Sequence, residues 1–284
     1  MNELALLGII ILSAVRLIGL GVSLDYYFET KKRKFKLISF GWLIFFMSGL
    51  FVLAINFYNN IFLFEFFLVF NAILNTIGAI FVVTGIISYF IKIPIKIMIS
   101  YIITILLIVP IFIWFIFDYR IAINFSVVNL NLIYLYVFLL PIFKRNKFKA
   151  YMSRSNKLYY TACVVFFLYV PLSIIIVLQG YSFGLYYAEN NVLVILNYTI
   201  AITITILIII VFIQIEYSIS SQKKNQLKDK YSHDLGNALQ AIFSCFDLID
   251  FKNSLNKDNA AILEDILKPK LKEASNLIKE IRNL

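Results

Sequence analysis

The chain has one histidine and two cysteines in 284 residues, and charged side chains make up only 15% of it. Cys163 lies in an apolar run and Cys245 in a polar helical segment; they suggest neither a disulfide framework nor a metal site. The N-terminus lacks a basic region ahead of its first apolar run and has no clear cleavage site, so that run reads as a retained span rather than a signal peptide. Helix breakers thin out toward the C-terminus. There is no proline between Pro171 and Pro269, no glycine between Gly184 and Gly236, and none beyond Gly236. A P-loop and a glycine-rich phosphate cradle are both missing, so no nucleotide or other cofactor is called for by this sequence.

What the chain does have is apolar side chain: 61% hydrophobic residues and a mean hydropathy of +0.87. A soluble domain cannot hide that much, so the class is polytopic membrane protein with the lipid bilayer as its solvent. Runs long enough to cross a bilayer fall at Leu4–Leu24, Leu37–Ile55, Phe64–Phe90, Ile97–Phe117, Ile121–Phe143, Leu158–Leu178 and Val192–Ile215, seven in all. The basic excess belongs to this part. Residues 1–216 carry 15 Lys/Arg against 7 Asp/Glu, and residues 217–284 carry 11 against 9. That is the pattern of topology signals rather than of a nucleic-acid footprint. Lys31, Lys32, Arg33, Lys34 and Lys36, then Lys92 and Lys96, then Lys144, Arg145, Lys147, Lys149, Arg154 and Lys157 occupy alternate loops, and the opposite side offers only Arg120. The expected orientation is therefore N-terminus outside and C-terminus in the cytoplasm of a plasma-membrane protein, which an odd number of spans permits.

The outside loops are short. Asn56–Asn60 and Asp118–Arg120 are turns, and Gln179–Asn191, with Tyr181, Phe183, Tyr186 and Tyr187, is the longest. An extracellular binding domain does not fit there, so a stimulus would be a small ligand entering the bundle, a lipid, or a property of the membrane. The loop aromatics read as an interfacial belt or, alternatively, a ligand lid. Polar groups within the spans are Arg16, Glu65, Asn71, Asn75, Asn124, Asn129, Asn131 and Asn197. A mid-bilayer arginine costs roughly 2.5–3.5 kcal/mol on insertion scales, so Arg16 should face the interior and have a partner. By depth, Asn71 or a backbone carbonyl suits it better than Glu65. These groups, Arg16, Asn71 and Asn75 above all, form either a sensor pocket or polar switch, or a set of hydrogen bonds that holds the bundle together. Pro110 and Pro171 should kink their spans. No internal repeat is evident, which weakens a transporter reading.

After Ile215 the pattern becomes polar and helical. The last span can continue as one helix to Asp250, so that a shift or rotation of the span moves whatever the helix carries. A turn near Asp250–Asp258 follows, and Asp258 or Asn259 can cap a second helix, Ala260–Arg282. Tyr231, Leu235, Leu239, Ile242, Phe246 and Ile249 on the first arm, and Leu267, Leu271, Ala274, Ile278 and Ile281 on the second, repeat as a heptad seam. One hairpin this small buries little core, so two are expected to join as a homodimeric four-helix bundle. The fold class is thus all-α: a seven-helix transmembrane bundle over residues 1–216 and a cytoplasmic antiparallel hairpin over 217–284. Pro269 should kink the second arm or start a new turn in it.

His233 lies off the seam, and Asn237, Gln240 and Ser244 follow it on one exposed stripe. Asp234 is its neighbour, and Gly236 costs about 1 kcal/mol relative to alanine inside a helix. The run His233-Asp234-Leu235-Gly236-Asn237-Ala238-Leu239-Gln240 resembles the phosphoacceptor box of sensor histidine kinases, nearest the form seen in the sporulation-phosphotransferase type. The likeness covers about 65 residues as a hairpin, with the motif confined to eight. It implies that His233 accepts a phosphoryl group, that Asp234 orients the ring and takes up its proton, and that Asn237 positions a water or contacts the phosphoryl group. Ala238 stands where the commonest kinase form has proline. The resemblance further implies a response regulator as partner. Because no ATP-binding domain follows the box, it also implies a separate ATP-binding kinase subunit or another source of phosphate. Two rival classes remain: a membrane receptor whose hairpin only dimerises or docks a partner, and a small-solute transporter with a coiled-coil tail.

Overall fold

A computed structural model describes residues 2–54, 61–91, 94–143, 146, 148, 156–178, 185, 188–248 and 262–282, which are all-helical with no strand among them. The chain divides into two units, Met1–Ile215 and Glu216–Leu284. The helices are α1 (Glu3–Thr30), α2 (Arg33–Ala54), α3 (Ile61–Ile87), α4 (Ile95–Tyr101), α5 (Val109–Ile116), α6 (Tyr119–Phe143), α7 (Asn156–Leu178), α8 (Asn191–Leu248) and α9 (Lys268–Arg282). A π-helical stretch, Ile102–Ile108, joins α4 to α5, and another, Ile262–Leu267, leads into α9. Among the described residues, 7 helices are long and apolar enough to cross a membrane, the π-linked α4 and α5 counting as one.

In the first unit the termini of α1 show how local sequence fixes an element. Asn2 caps it, its Oδ1 accepting from Leu4 N at 2.9 Å and Ala5 N at 3.3 Å. Lys31 ends it in the left-handed region at φ 54°, its N–H donating to Tyr27 O at 2.7 Å. The helix outlasts the apolar run Leu4–Leu24 by a turn and a half because Asp25–Thr30 are adequate helix formers with no breaker among them. The same Asn2 reaches the other end of the unit. Its Nδ2 donates to Ala188 O and to Asn191 Oδ1, both at 2.9 Å. Further along, Tyr198 covers Gly8, and Ile209 approaches Gly19. These three pairs keep a nearly constant sequence offset, so α1 and the apolar part of α8 run parallel, side by side.

α3 is the most enclosed helix of the unit, with most of Leu68–Ile87 buried. α2 lies against it at backbone distance: a Cβ on Gly41 would stand 2.7 Å from Val82 N and 2.8 Å from Gly78 O. Lipid is as apolar as leucine, so helices associate in it through close packing, and small residues are what allow the approach. Phe166, Tyr169 and Ile204 form a separate cluster between α7 and α8, with Tyr134 of α6 packed on it. The basic loop after α1 is folded onto aromatic rings. Lys31 Nζ lies 4.8 Å from the centre of the Phe28 ring, and Lys34 Nζ lies 3.4 Å from that of Tyr89.

Proline behaves differently at its three informative positions. Pro110 and Pro269 both stand at the second residue of an α-helix, and each is preceded by a π-helical stretch. A first-turn proline needs no N–H donor, and the wider π turn before it makes room where the ring would otherwise meet the carbonyl four residues back. Pro171 alone lies inside its helix. Pro269 therefore starts a helix, one of the two roles expected of it.

In the second unit Ala238, Ile242, Leu267 and Ala274 are buried together, with Leu235 packed on them. The expected seam differs here at several positions. Leu239 is 40% exposed and Phe243 65%, while Ala238, which the heptad reading passed over, is buried. A residue as small as Ala238 fits a close contact, and the larger Leu239 next to it faces outward. Leu271 and Ile278 are likewise exposed. The turn Asp250–Asp258, the caps Asp258 and Asn259, and Ile249 lie outside the described residues, as do the side chains of Phe246 and Cys245. So do the loop aromatics Tyr181, Phe183, Tyr186 and Tyr187, the turn Asn56–Asn60, and Lys92, Lys144, Arg145, Lys147, Lys149 and Arg154.

Candidate functional site

Two groups of polar side chains carry chemistry, one in each unit. In the first, Arg16 projects from α1 toward α2 and α3. Its Nη1 donates to Phe45 O at 2.9 Å and to Ser48 Oγ at 3.1 Å, and its Nη2 donates to Asn75 Oδ1 at 2.9 Å. The guanidinium carbon also sits 4.8 Å from the centre of the Phe45 ring. Ser48 Oγ donates to Phe45 O at 2.7 Å and lies 3.1 Å from Asn75 Oδ1. Asn75 Nδ2 is held by Asn71, through Oδ1 at 2.9 Å and the backbone carbonyl at 3.0 Å. The arginine thus meets a backbone carbonyl and Asn75 directly, and Asn71 orients Asn75 from behind. Glu65 is engaged elsewhere, accepting from Trp114 Nε1 at 3.0 Å.

These residues form part of the wall of a cavity of about 100 Å³ inside the first unit. Arg16, Asn71 and Asn75 line it from one side and Asn197 of α8 from another, along with Ser13 of α1. Ser13 Oγ and Asn197 Oδ1 are buried without a hydrogen-bond partner, in residues 7% and 4% exposed. Ser13 and Ser48 were not singled out by sequence. Serine is neutral on hydropathy scales, and only its helical spacing from Arg16, three residues before it in the case of Ser13, could have flagged it. Asn124 Oδ1 and Asn131 Oδ1 are likewise buried without a hydrogen-bond partner, but neither residue lines this cavity. Asn129 Oδ1 accepts from Tyr101 OH at 2.8 Å, and Asn131 Nδ2 donates to Ser173 Oγ at 3.4 Å.

In the second unit His233 stands on α8 with its side chain 74% exposed. Two neighbours converge on the same ring nitrogen. Asn237 Nδ2, one turn on, is 3.2 Å from His233 Nδ1, and Asp234 Oδ1 is 3.7 Å from it. An amide nitrogen only donates, so in this arrangement Nδ1 accepts and the neutral ring carries its proton on Nε2. Exchanging Asn237 for Asp234 at Nδ1 would move the proton there and free the Nε2 lone pair. Gly236 faces open space, with nothing within 4 Å of where a Cβ would stand, and Gln240 and Ser244 are exposed on the same helix. Nearby, Tyr231 has its hydroxyl held above its ordinary pKa, chiefly by a hydrogen bond to Glu280 and then by that carboxylate's charge. Among the described residues no three His, Cys, Asp or Glu side chains gather as a metal site would require. Searched against protein families, curated proteins and solved structures, the chain matches none.

Proposed function

We propose that this is a membrane-embedded signal transducer of two-component type, in which a stimulus received by the first unit controls phosphotransfer at His233. The observation that carries the reading is the convergence of Asp234 and Asn237 on one nitrogen of an exposed histidine. The two partners impose opposite tautomers. With Asp234 accepting from Nδ1–H, the Nε2 lone pair points to solvent and can attack a phosphoryl group; the P–O bond to the leaving group breaks as Nε2–P forms, and the Nδ1 proton passes to Asp234. With Asn237 donating to Nδ1, Nε2 is protonated and the ring does not attack. A small rotation of the ring or of the helix turn selects between them. The proposed route of the signal is α8 itself, which is 58 residues long with no proline and only Gly236 to weaken it.

The proposal includes the seven-span topology with the N-terminus outside and the C-terminus in the cytoplasm. The parallel course of α1 and the apolar part of α8 supports it, since two spans that enter from the same side need an even number of crossings between their starts. It includes an antiparallel hairpin in the second unit, supported by the Ala238–Ile242–Leu267–Ala274 cluster and by the pairing of Tyr231 with Glu280. Dimerisation of the hairpin is supported by the exposed Leu239, Phe243, Leu271 and Ile278, apolar surface that a second copy would cover. Phosphate would reach His233 from a separate ATP-binding kinase subunit or through a response regulator.

The test is acid-labile phosphate on the full chain in membranes of the native host, wild type against His233→Gln. Label on the wild type alone is the expected result. Absence of label, with signalling intact in the variant, would refute phosphotransfer and leave the second unit as a dimerisation or docking element.

A further inference from the structure

The structure assigns the cavity between Arg16 and Asn197 as a binding site for a short-chain carboxylic acid. Three observations converge on this class. The first is size. About 100 Å³ is two-thirds of a cavity that takes benzene, which corresponds to roughly four or five non-hydrogen atoms. The second is the pair of buried polar atoms with nothing to bond. Asn197 Oδ1 can only accept, and Ser13 Oγ can donate or accept. A buried amide or hydroxyl left without a partner costs about 1–3 kcal/mol, so these atoms favour an occupant that offers both a donor and an acceptor. A carboxylic acid offers both in its protonated form, its O–H donating to Asn197 Oδ1 and its carbonyl oxygen accepting from Ser13 Oγ. The third is charge. A guanidinium in the wall, protonated at any physiological pH, favours a carboxylate or carboxylic acid over an ammonium whatever its other contacts.

Water alone fits the cavity less well. A buried water needs two to four polar partners, whereas Leu12, Val52, Leu130 and Ile204 present only methyl groups to the space. An occupant with a polar end and a two- or three-carbon body matches both kinds of wall. Its position gives it leverage, because α1, α2, α3 and the apolar part of α8 all contribute to the lining and an occupant would draw on each of them. The site therefore supplies the stimulus class for the signalling reading, on which only that role rests; binding itself does not depend on His233.

Trp42 lines the cavity and provides the readout. The experiment titrates propionate, propionamide and propylammonium into the purified full chain in lipid nanodiscs, following Trp42 emission in a Trp114→Phe background. At about pH 5, where part of a carboxylic acid still carries its proton, propionate should give a saturable change, as should propionamide, which also offers a donor and an acceptor, with no response to propylammonium. Asn197→Leu, which removes the acceptor at similar volume, should weaken propionate about five- to tenfold. Ala201→Leu, which fills the cavity from α8, should abolish the change. If Asn197→Leu does not fold, judged by thermal unfolding, Ala201→Leu decides. No saturation with propionate, equal binding of propylammonium, or unchanged binding in a folded Ala201→Leu protein would each overturn the assignment. Because no phosphate is involved, binding that persists in His233→Gln separates a failure of the phosphotransfer reading from a failure of this one.

Discussion

Gly41→Ala tests the closest backbone approach in the first unit. The added methyl would stand 2.7 Å from Val82 N and 2.8 Å from Gly78 O, and ordinary contact begins at 3.4 Å, so α2 and α3 must part by about 0.7 Å. Neither obstacle is a side chain that can rotate away. A gap of 0.5–1 Å forfeits a quarter to a half of each dispersion contact along the seam. Overpacking of this kind costs about 1–3 kcal/mol, and fixed backbone atoms place this site in the upper part of that range. Alanine returns about 1 kcal/mol of helix propensity, leaving a net loss of about 1–2 kcal/mol. Gly21→Ala is the matched control, since nothing lies within 4 Å of its Cβ and only the propensity gain applies. The two variants should therefore differ by about 2–3 kcal/mol, or roughly 5–10 °C in melting temperature at this size. Cys163 is buried in α7 and supplies the assay: its reaction with a thiol-activated fluorophore on heating, in a Cys245→Ser background, reports unfolding of the bundle. Gly41→Ala melting level with Gly21→Ala or above it would refute the close approach of α2 and α3.

Two further expectations concern the second unit. The hydrogen bond to Glu280 favours the protonated Tyr231 phenol and raises its pKa, so the contact contributes fully below about pH 10 and is lost as pH rises through the folded value. A spectrophotometric titration, with the Tyr231→Phe signal subtracted, should place this midpoint higher in wild type than in Glu280→Gln; coincident midpoints would disprove the pairing. Leu239 and Phe243 are exposed apolar residues within three turns of His233, so on the proposed dimer the wild type should be dimeric and a Leu239→Glu/Phe243→Glu protein monomeric by light scattering, and a monomeric wild type would refute the dimer. A variant that remains a dimer would move the dimer contact elsewhere.

Much of the first unit was legible because lipid imposes a simple rule: each span must be long, apolar and helical, and hydropathy reads that directly. The need of Arg16 for an interior partner was legible for the same reason, since charge in hydrocarbon must be met. A backbone carbonyl, one of the two partners expected, does meet it in Phe45 O, but that Asn75 rather than Asn71 would be the amide was not legible. Asn71 and Asn75 are one helical turn apart on α3, and only the approach of α2, set by Gly41 and Gly78, decides that Asn75 takes the guanidinium and Asn71 steadies it. A pocket at Arg16, Asn71 and Asn75 was legible as one of two readings, but the part Ser13 Oγ and Asn197 Oδ1 play in its wall was not, because those atoms are defined by what fails to reach them. In the second unit the heptad reading weighed residues by size and so passed over Ala238, whose smallness is what brings it to the contact. The π turns ahead of Pro110 and Pro269 leave no trace in hydropathy. Prolines in a helical pattern announce a disturbance without saying how the backbone absorbs it.

The side-by-side course of α1 and α8 has a consequence for how the protein is made. Asn2 and Asn191 are 189 residues apart, and at synthesis rates of about 5–20 residues per second roughly 10–40 s pass between their appearance at the ribosome. The polar partners of Arg16 follow it within 59 residues, soon enough to shelter its charge while the nascent chain is still short. Gly19 meets Trp42 of α2 early as well, but the stretch of α1 around Gly8, covered by Tyr198, has no such early companion. It must wait, open to lipid or to an insertion chaperone, until the last span is delivered and the ring of helices closes. A ribosome stall or truncation anywhere before Asn191 would leave a chain with at most six of the apolar helices and an unfinished seam, a natural substrate for membrane quality control.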